Sequence, residues 1–406
     1  MIGTTITLYK NAYNGLTRRI WLLSVVMLIN RAGTMVLPFM TLYCKKIGYS
    51  TQEAGWVVAI YGLGAILGAF LGGKISDRLG FYYTQFTSLL LSGFLFLLLG
   101  QMQTYASICV CTFLLSLVNE SFRPANATAI AYYSSSANRT QSFSLVRLAI
   151  NLGWGVGAAL GGFLASVNYH LLFWVDGLTN LAAAFFLLQL LPKVSLLQQK
   201  TDRMNPKKTD EKISLSSSAY KDKTFLIFIG FKILFAFCFF QLFTTVPLFF
   251  KEGLNLNEFN IGIIMSLNGI LIALFEMVLV FKLEGKYPYL KLMVYGSVLM
   301  ALSFYMLNLP MLSGAWVATL STIMVTIAEM IAMPFMNTWY ISRSNETNRG
   351  QYAALYTMAW STAQVFGSSV GTLIAFALGF STLWWIVGTI CLVTAVGYFS
   401  LLKMKE

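Results

Sequence analysis

The sequence is short of charged residues and of histidine. Asp, Glu, Lys and Arg together make up only 11% of the 406 residues, and His170 is the single histidine. A soluble domain carries about 25% charged residues, so this composition argues against a soluble protein. One histidine supports neither a Ser/His/Asp catalytic group nor a histidine-based metal site, and we expect no enzyme activity, no metal and no cofactor.

The sequence also lacks the motifs of other membrane-protein classes. It contains no GxxxxGK[ST] phosphate-binding loop, which argues against a nucleotide-driven pump. Its five cysteines are odd in number and lie mostly in apolar stretches, which argues against a disulfide framework. A receptor or sensor is expected to carry a soluble domain, and no stretch of the chain has such a composition.

What the sequence has instead is apolar residues, which make up 57% of the chain, with 32 Phe, 20 Tyr and 9 Trp. About 20 apolar residues in a helix suffice to cross the hydrocarbon core of a bilayer. We therefore predict an all-α membrane protein with twelve transmembrane helices at approximately 21–43, 53–72, 82–100, 105–132, 142–166, 170–191, 224–249, 258–281, 289–308, 313–340, 352–377 and 380–402.

The basic residues predict how these helices are oriented. If the N-terminus is cytoplasmic, only Lys45, Lys46 and Lys251 fall in loops on the outer face, and nearly all the others lie on the cytoplasmic face. This asymmetry follows the positive-inside rule and predicts a multi-pass protein of the cell (inner or plasma) membrane with both termini cytoplasmic. It also accounts for the net charge of +13 without a nucleic-acid partner.

The chain divides into two related halves. Residues 192–223 form the one long polar, basic loop, which we interpret as a cytoplasmic linker between an N-terminal six-helix bundle at 1–191 and a C-terminal one at 224–406. Identical residues recur 210 positions apart: Pro124 and Pro334, Asn138-Arg139 and Asn348-Arg349, Gln141 and Gln351, Gly157 and Gly367, and Gly161 and Gly371. An internal repeat of this kind is typical of transporters whose two pseudo-symmetric halves move around a site near the membrane midplane.

The loop after the second predicted helix carries a recognisable motif. The stretch "GGKISDRLGFYY", from Gly72 to Tyr83, resembles the Gly-x-Leu-Ala-Asp-Arg-x-Gly-basic-basic motif of the major facilitator superfamily. Gly73, Asp77, Arg78 and Gly80 match it, whereas an aromatic pair replaces the two basic residues. The resemblance implies a conformational gate in which Asp77 faces the start of the eleventh helix. The positive end of a helix dipole stabilises such a carboxylate.

A second motif points to one branch of this superfamily. "GWGVGAALGG" in the fifth helix is similar to the antiporter motif Gly-x-x-x-Gly-Pro-x-x-Gly-Gly, with Ala158 in place of the proline. The four matching glycines, Gly153, Gly157, Gly161 and Gly162, would also serve close helix packing alone. The whole chain most resembles the drug:proton antiporter branch.

Charged residues at membrane depth mark the candidate site. Four cations, Arg31, Arg123, Arg147 and Lys232, and four carboxylates, Glu120, Asp176, Glu276 and Glu329, lie inside predicted helices. Such charges are costly in lipid, and we expect them to face the bundle interior or water. In the superfamily, helices one, four, seven and ten line the central cavity. The predicted substrate-binding residues are Asn30, Arg31, Asn119, Arg123, Arg147, Asn151, Trp154, Tyr356 and Trp360.

Two carboxylates are candidates for proton coupling. Glu329 and Glu120 lie at equivalent heights, because the repeat aligns Glu329 with Asn119. Arg123 balances the charge of Glu120, so Glu329 is the first choice. An ion-pair network that only fixes helix packing is the alternative role for Glu120 and Arg123.

These features predict a proton-coupled secondary transporter, acting as a monomer in the lipid bilayer. The expected partners are protons and a small-molecule substrate, most naturally a drug-like or amphiphilic compound exported by proton antiport. The alternative is a proton-coupled symporter that takes up peptides or other zwitterions. The glutamate-rich first-helix motif of peptide symporters is missing, since the matching region reads "LINRAGTM".

Overall fold

The structure is a computed structural model that describes residues 2–194, 218–309 and 314–404. Within these ranges every regular element is a helix. Short 3-10 turns at Ser136–Asn138, Ala219–Lys221 and Gln241–Phe243 accompany the following α-helices: α1 Ile2–Tyr13, α2 Arg18–Ala32, α3 Val36–Lys46, α4 Thr51–Leu79, α5 Phe81–Leu99, α6 Tyr105–Glu120, α7 Phe122–Tyr133, α8 Arg139–Val167, α9 His170–Leu190, α10 Lys223–Phe240, α11 Thr245–Glu252, α12 Glu258–Leu283, α13 Tyr289–Met306, α14 Gly314–Arg343, α15 Arg349–Leu378 and α16 Phe380–Lys403.

The predicted twelve membrane helices are confirmed in the part of the chain that the structure describes. Twelve segments are long and apolar enough to cross a bilayer. We number them as spans one to twelve: Arg18–Lys46, Gln52–Leu79, Phe81–Leu99, Tyr105–Tyr133, Ser136–Val167, His170–Leu190, Lys223–Glu252, Asn260–Leu283, Tyr289–Met306, Gly314–Arg343, Arg349–Leu378 and Phe380–Lys403. The centre of the predicted linker, 195–217, lies outside the described residues.

Spans one, four and seven are each broken into two helices, and proline explains the position of each break. The second helix of each span carries a proline as its third residue: Pro38 in α3, Pro124 in α7 and Pro247 in α11. Proline has no N–H to donate and its ring clashes with the carbonyl four residues earlier, but the first turn of a helix tolerates it. A new helix therefore begins just before each proline. Pro334, the repeat partner of Pro124, instead lies inside the continuous helix α14.

The helices form two compact units. The first, here the N-terminal unit, comprises Gly15–Ala219 and Arg343–Met358. The second, the C-terminal unit, comprises Met1–Asn14, Tyr220–Ser342 and Ala359–Glu406. Two segments therefore belong to a different unit from the one that their position in the chain suggests. Met1–Asn14 belongs to the C-terminal unit, and Arg343–Met358 belongs to the N-terminal unit.

Specific hydrogen bonds account for both of these segments. In the N-terminal unit, the first residues of α15 bond to Asp77 at the end of span two. In the C-terminal unit, the Tyr9 hydroxyl of α1 donates to the carbonyl oxygen of Leu274 in span eight, at 2.6 Å. Each short segment therefore packs with helices that are distant in the chain.

Candidate functional site

The centre of span four holds the ion pair that the sequence suggested. Nε of Arg123 lies 2.8 Å from Oε2 of Glu120, and the Glu120 side chain is only 4% exposed, against 28% for Arg123. Glu120 is the last residue of α6, and Arg123 the second residue of α7. The helix break caused by Pro124 therefore sets the geometry of the pair. Within this pair, Arg123 is therefore the partner that keeps some exposed surface.

Arg31, at the end of α2, belongs to the same group of charges. Its side chain is 8% exposed and interacts electrostatically with Arg123, Glu120 and Tyr61. The Tyr61 hydroxyl in turn accepts a hydrogen bond from Nδ2 of Asn119, at 3.3 Å. We call these five residues, Arg31, Tyr61, Asn119, Glu120 and Arg123, the arginine cluster. It brings together three of the predicted substrate-binding residues and one predicted proton-coupling residue, while Tyr61 is an addition.

Asn30 points elsewhere. Its Nδ2 donates to Oδ1 of Asn180 in span six at 2.9 Å, in a buried contact. The carboxylate of Asp176, one turn earlier, accepts from the backbone N–H of Met35 at 3.0 Å and of Val36 at 2.8 Å. Asp176 therefore caps the start of α3, where unsatisfied N–H groups need an acceptor. This geometry favours a packing role for Asn30 instead of the predicted role in substrate binding.

Asp176→Asn is expected to destabilise the protein by about 2–4 kcal/mol, because an amide replaces a carboxylate that accepts charge-assisted bonds from two buried N–H groups. Asp222→Asn is the matched control. Asp222 also caps a helix, through the N–H of Phe225 at 3.0 Å, and this cap is typically worth about 1 kcal/mol. Thermal unfolding in detergent measures both. Equal losses in the two variants would contradict the role given to Asp176.

Three of the four glycines of the predicted antiporter motif, Gly153, Gly157 and Gly161, pack span five against span one, whereas nothing lies within 4 Å of a Cβ at Gly162. A Cβ added at Gly153 would lie 2.7 Å from Cβ of Arg31, 2.9 Å from the carbonyl oxygen of Leu28 and 3.0 Å from the nitrogen of Ala32. One at Gly157 would lie 3.1 Å from the oxygen of Ala32. These glycines therefore let span five approach the backbone that carries Arg31. Close helix packing of this kind is what small residues permit in membranes.

Gly153→Ala is expected to cost about 1–3 kcal/mol and to displace Arg31, because the added methyl group overlaps packed backbone atoms. Gly155→Ala, on the same helix, is the control, since nothing lies within 4 Å of a Cβ at that position. Thermal unfolding and transport rate are the measurements. If both variants behaved like the wild type, the packing of spans one and five would be looser than the structure has it.

Three other predicted residues of the N-terminal unit, Arg147, Asn151 and Trp154, lie on span five. Trp154 is 40% exposed and Asn151 partly exposed, and neither side chain makes a hydrogen bond within the described ranges. Arg147 interacts electrostatically with Tyr356 of span eleven. Arg147 and Tyr356 thus belong to the same unit, although they lie on spans five and eleven.

In the C-terminal unit, Glu329 has a neutral hydrogen-bond donor. Its Oε2 accepts from Nδ2 of Asn268 in span eight at 3.0 Å, and Asn268 also donates to the Thr326 hydroxyl at 3.0 Å. Glu329 is 4% exposed. Each unit thus contains a hydrogen bond between two residues that are 58 positions apart. In the N-terminal unit Asn119 of span four bonds to Tyr61, and in the C-terminal unit Thr326 of span ten bonds to Asn268. The repeat offset of 210 positions pairs Asn268 with Val58 and not with Tyr61, so the repeat did not identify Asn268.

Trp360 also lies in the C-terminal unit, where it covers a buried cation. The ammonium of Lys232 lies 4.5 Å from the centre of the Trp360 ring and 5.6 Å from that of Phe235. Phe240 also packs against this tryptophan, with ring centres 4.8 Å apart. A cation over aromatic faces is partly compensated for lost hydration. This contact favours a role for Trp360 in shielding Lys232, and the predicted role in substrate binding gains no support from it.

Asp77 lies where the loop motif implied. Its Oδ1 accepts from the N–H of Gly350 at 2.7 Å, and its Oδ2 from the N–H of Gln351 at 3.0 Å, both in the first turn of α15. Gly73 lies against the backbone of Gly350, with no room for a side chain between them. Gly80 has φ +93°, which favours glycine, and lets span three begin directly after span two. Arg78 is exposed.

Comparison with known proteins agrees with this geometry. Residues 20–368 match the family model described as Major Facilitator Superfamily. Among curated relatives, a Na(+), Li(+), K(+)/H(+) antiporter of Planococcus maritimus is 23% identical, with 83% of this chain and 84% of the relative covered. The quinolone resistance protein NorA of Staphylococcus aureus is 22% identical, with 85% of each chain covered.

Solved structures share the fold. The human organic anion transporter MFSD10 (TETRAN) superposes with a TM-score of 0.76 over 95% of this chain and 99% of its own, at 14% identity. At that identity the likeness establishes a common architecture and not a common substrate.

Proposed function

The chain belongs to the Major Facilitator Superfamily and is a multi-pass membrane transporter, and we propose that it exchanges small organic molecules for protons. The transporter lies in the cell membrane with both termini cytoplasmic. It exports drug-like or amphiphilic compounds from the cell. The proton gradient is then the energy source, and no cofactor takes part.

The buried carboxylate of Glu329 carries this proposal. A coupling residue has to gain and lose a proton during the cycle, and a carboxylate at membrane depth is costly enough to be a functional group by default. Glu329 is buried, and its Oε2 accepts a hydrogen bond from the neutral amide of Asn268, which the glutamate can keep as an acceptor whether or not it carries a proton. Glu120 is paired with Arg123, so protonating it would remove the carboxylate that compensates this cation.

Two further observations support exchange over other modes. The relatives from Planococcus maritimus and Staphylococcus aureus are, by name, a cation/proton antiporter and a drug-resistance protein. Three glycines of the antiporter motif, Gly153, Gly157 and Gly161, pack span five on span one, and Gly153 lies against Arg31. Both support antiport without fixing the substrate.

Purified protein in liposomes with an imposed pH gradient tests the proposal. In antiport, protons leave the acidic compartment as the solute enters it, so an acidic lumen should accumulate the substrate. A protonophore should abolish the accumulation, and protein-free liposomes correct for passive trapping of weak acids and bases. Accumulation that ignores the pH gradient would contradict proton coupling.

Proton-coupled uptake of zwitterions is the second candidate. It is favoured by the presence of both kinds of charged group, with two arginines around one glutamate in the N-terminal unit and the carboxylate of Glu329 in the C-terminal unit. A symported dipeptide should accumulate in an alkaline lumen instead of an acidic one. The same liposomes therefore separate the two candidates by the sign of the gradient.

A further inference from the structure

The arginine cluster carries more positive than negative charge. Arg31 and Arg123 both interact with Glu120, which leaves a formal charge of +1 among them. Counted along the sequence, the cations and carboxylates at membrane depth are equal in number. The structure breaks that balance locally, because it separates the carboxylates from one another.

The other described carboxylates of the N-terminal unit are engaged or remote. Asp176 accepts from the N–H groups at the start of α3, and Asp77 from those at the start of α15. Glu53 bonds to the N–H of Ser50 at 2.8 Å in the capping box of span two. Glu346 is exposed in the turn after span ten. Glu120 is thus the one carboxylate of this unit's described residues that the structure places with the two arginines.

Arg31 is the cation that this arrangement leaves short of acceptors. Its side chain is 92% buried, and its Nε has no hydrogen-bond partner among the described residues. The C-terminal end of α2 offers Arg31 partial negative charge, equivalent to about half an elementary charge. A guanidinium stays ionised in proteins, and burying it without full compensation is costly. An acceptor supplied from outside the chain would remove that cost.

We propose that the transported molecule carries an anionic group, a carboxylate, sulfonate or phosphate, which binds Arg31 and Arg123. This proposal rests on the proposed function, since it names the substrate class of that transporter. The planar guanidinium fork suits the oxygens of such groups, which accept two parallel bonds from it. Arg123 is 28% exposed and gives the anion its access. Glu120 orients Arg123 and keeps the pair of arginines from carrying two uncompensated charges.

Equilibrium binding to the purified protein tests the charge class without relying on transport. Three probes share one ring system and differ in charge: naphthalene-2-sulfonate, the neutral naphthalene-2-sulfonamide, and a naphthyl trimethylammonium cation. We expect the sulfonate to bind at least about tenfold more tightly than the sulfonamide, and the cation to bind more weakly than both. Preference for the cation, or equal binding of all three, would overturn the proposal.

Substitutions assign the site. Arg31→Gln should lower sulfonate affinity at least about tenfold and leave sulfonamide binding unchanged, because only the charged contact is lost. Arg18→Gln removes the same charge from an exposed position on the same helix and should change neither. Arg31→Lys should retain part of the affinity and serves as the folded variant should Arg31→Gln be unstable. Sulfonate binding that Arg31→Gln and Arg31→Lys leave intact would contradict the assignment.

Chloride competition separates organic from inorganic anions. Displacement of the sulfonate by millimolar chloride, combined with no preference for sulfonate over sulfonamide, would mean an inorganic-anion site and overturn the proposal. Sulfonate binding that depends on Arg31 but is accompanied by no gradient-driven flux would support the charge class and count against the proposed function alone.

Discussion

Asp77→Asn is expected to cut transport at least about tenfold and to speed amide exchange at Gly350 and Gln351. The carboxylate accepts both N–H groups at the positive end of α15. Asparagine keeps one acceptor oxygen and loses the charge, which should weaken the contact by about 2–3 kcal/mol, or roughly 30- to 150-fold. If this contact is the conformational gate, the balance between transport states shifts by the same factor. Hydrogen exchange and flux in liposomes measure the two effects.

Glu53→Gln is the matched control for this variant. Glu53 is also a carboxylate at the start of a span, where it closes the capping box with Ser50, but its contacts are exposed and local. Its loss should cost no more than about 1 kcal/mol and leave flux within about twofold. Faster exchange at Gly350 with normal flux in Asp77→Asn would show a packing contact that has no part in gating.

Glu329→Gln is expected to abolish proton-driven accumulation while substrate exchange continues. Glutamine has nearly the shape of glutamate and its oxygen can still accept from Asn268, so the fold around span ten should persist. It cannot take up or release a proton, and the coupled cycle therefore stalls. We expect accumulation under a pH gradient to fall at least about tenfold, and counterflow without a gradient to stay within about threefold.

Glu252→Gln provides the control, since Glu252 is an exposed glutamate at the end of α11 in the same unit. It should match the wild type in both assays. Full proton-driven accumulation in Glu329→Gln would move the coupling role to Glu120. The corresponding Glu120→Gln variant then decides the question by the same pair of assays.

The membrane spans could be predicted well from the sequence, because the hydrophobicity of many residues contributes to each prediction. Each hydrophobic run sums over about 20 residues, and a few misplaced residues at the ends do not change the outcome. The Asp77 contact was also predictable, since the loop motif and the position of α15 both follow from the chain. The breaks at Pro38, Pro124 and Pro247 could have been read from the prolines, but Pro334 shows that a proline alone does not decide whether a helix stops.

The partners of individual polar side chains were harder to predict. Asn30 and Arg31 are neighbours in the sequence, yet the structure directs Asn30 to span six and Arg31 to the arginine cluster. Adjacent residues of a helix point in directions about 100° apart around its axis. Two neighbours in the sequence can therefore face different surroundings. Trp360 likewise could not be assigned to Lys232 without knowing which faces of spans seven and eleven meet.

The local charge balance is the part that the sequence concealed. Equal numbers of cations and carboxylates suggested a neutral interior. In the structure, however, Asp176 accepts hydrogen bonds from N–H groups at the start of α3. Glu276 interacts electrostatically with Tyr13 of α1 in the C-terminal unit. Net charge over a sequence says little about charge at a site, because interactions between ionised groups fall off with distance and with screening.

Solute flux in liposomes under an imposed pH gradient tests the central claim most directly. The account predicts that an acidic lumen drives accumulation of an organic solute in liposomes containing the protein, that a protonophore abolishes it, and that Glu329→Gln removes it while leaving counterflow in place. Flux that equals that of protein-free liposomes, or that is the same with and without the gradient, would contradict it.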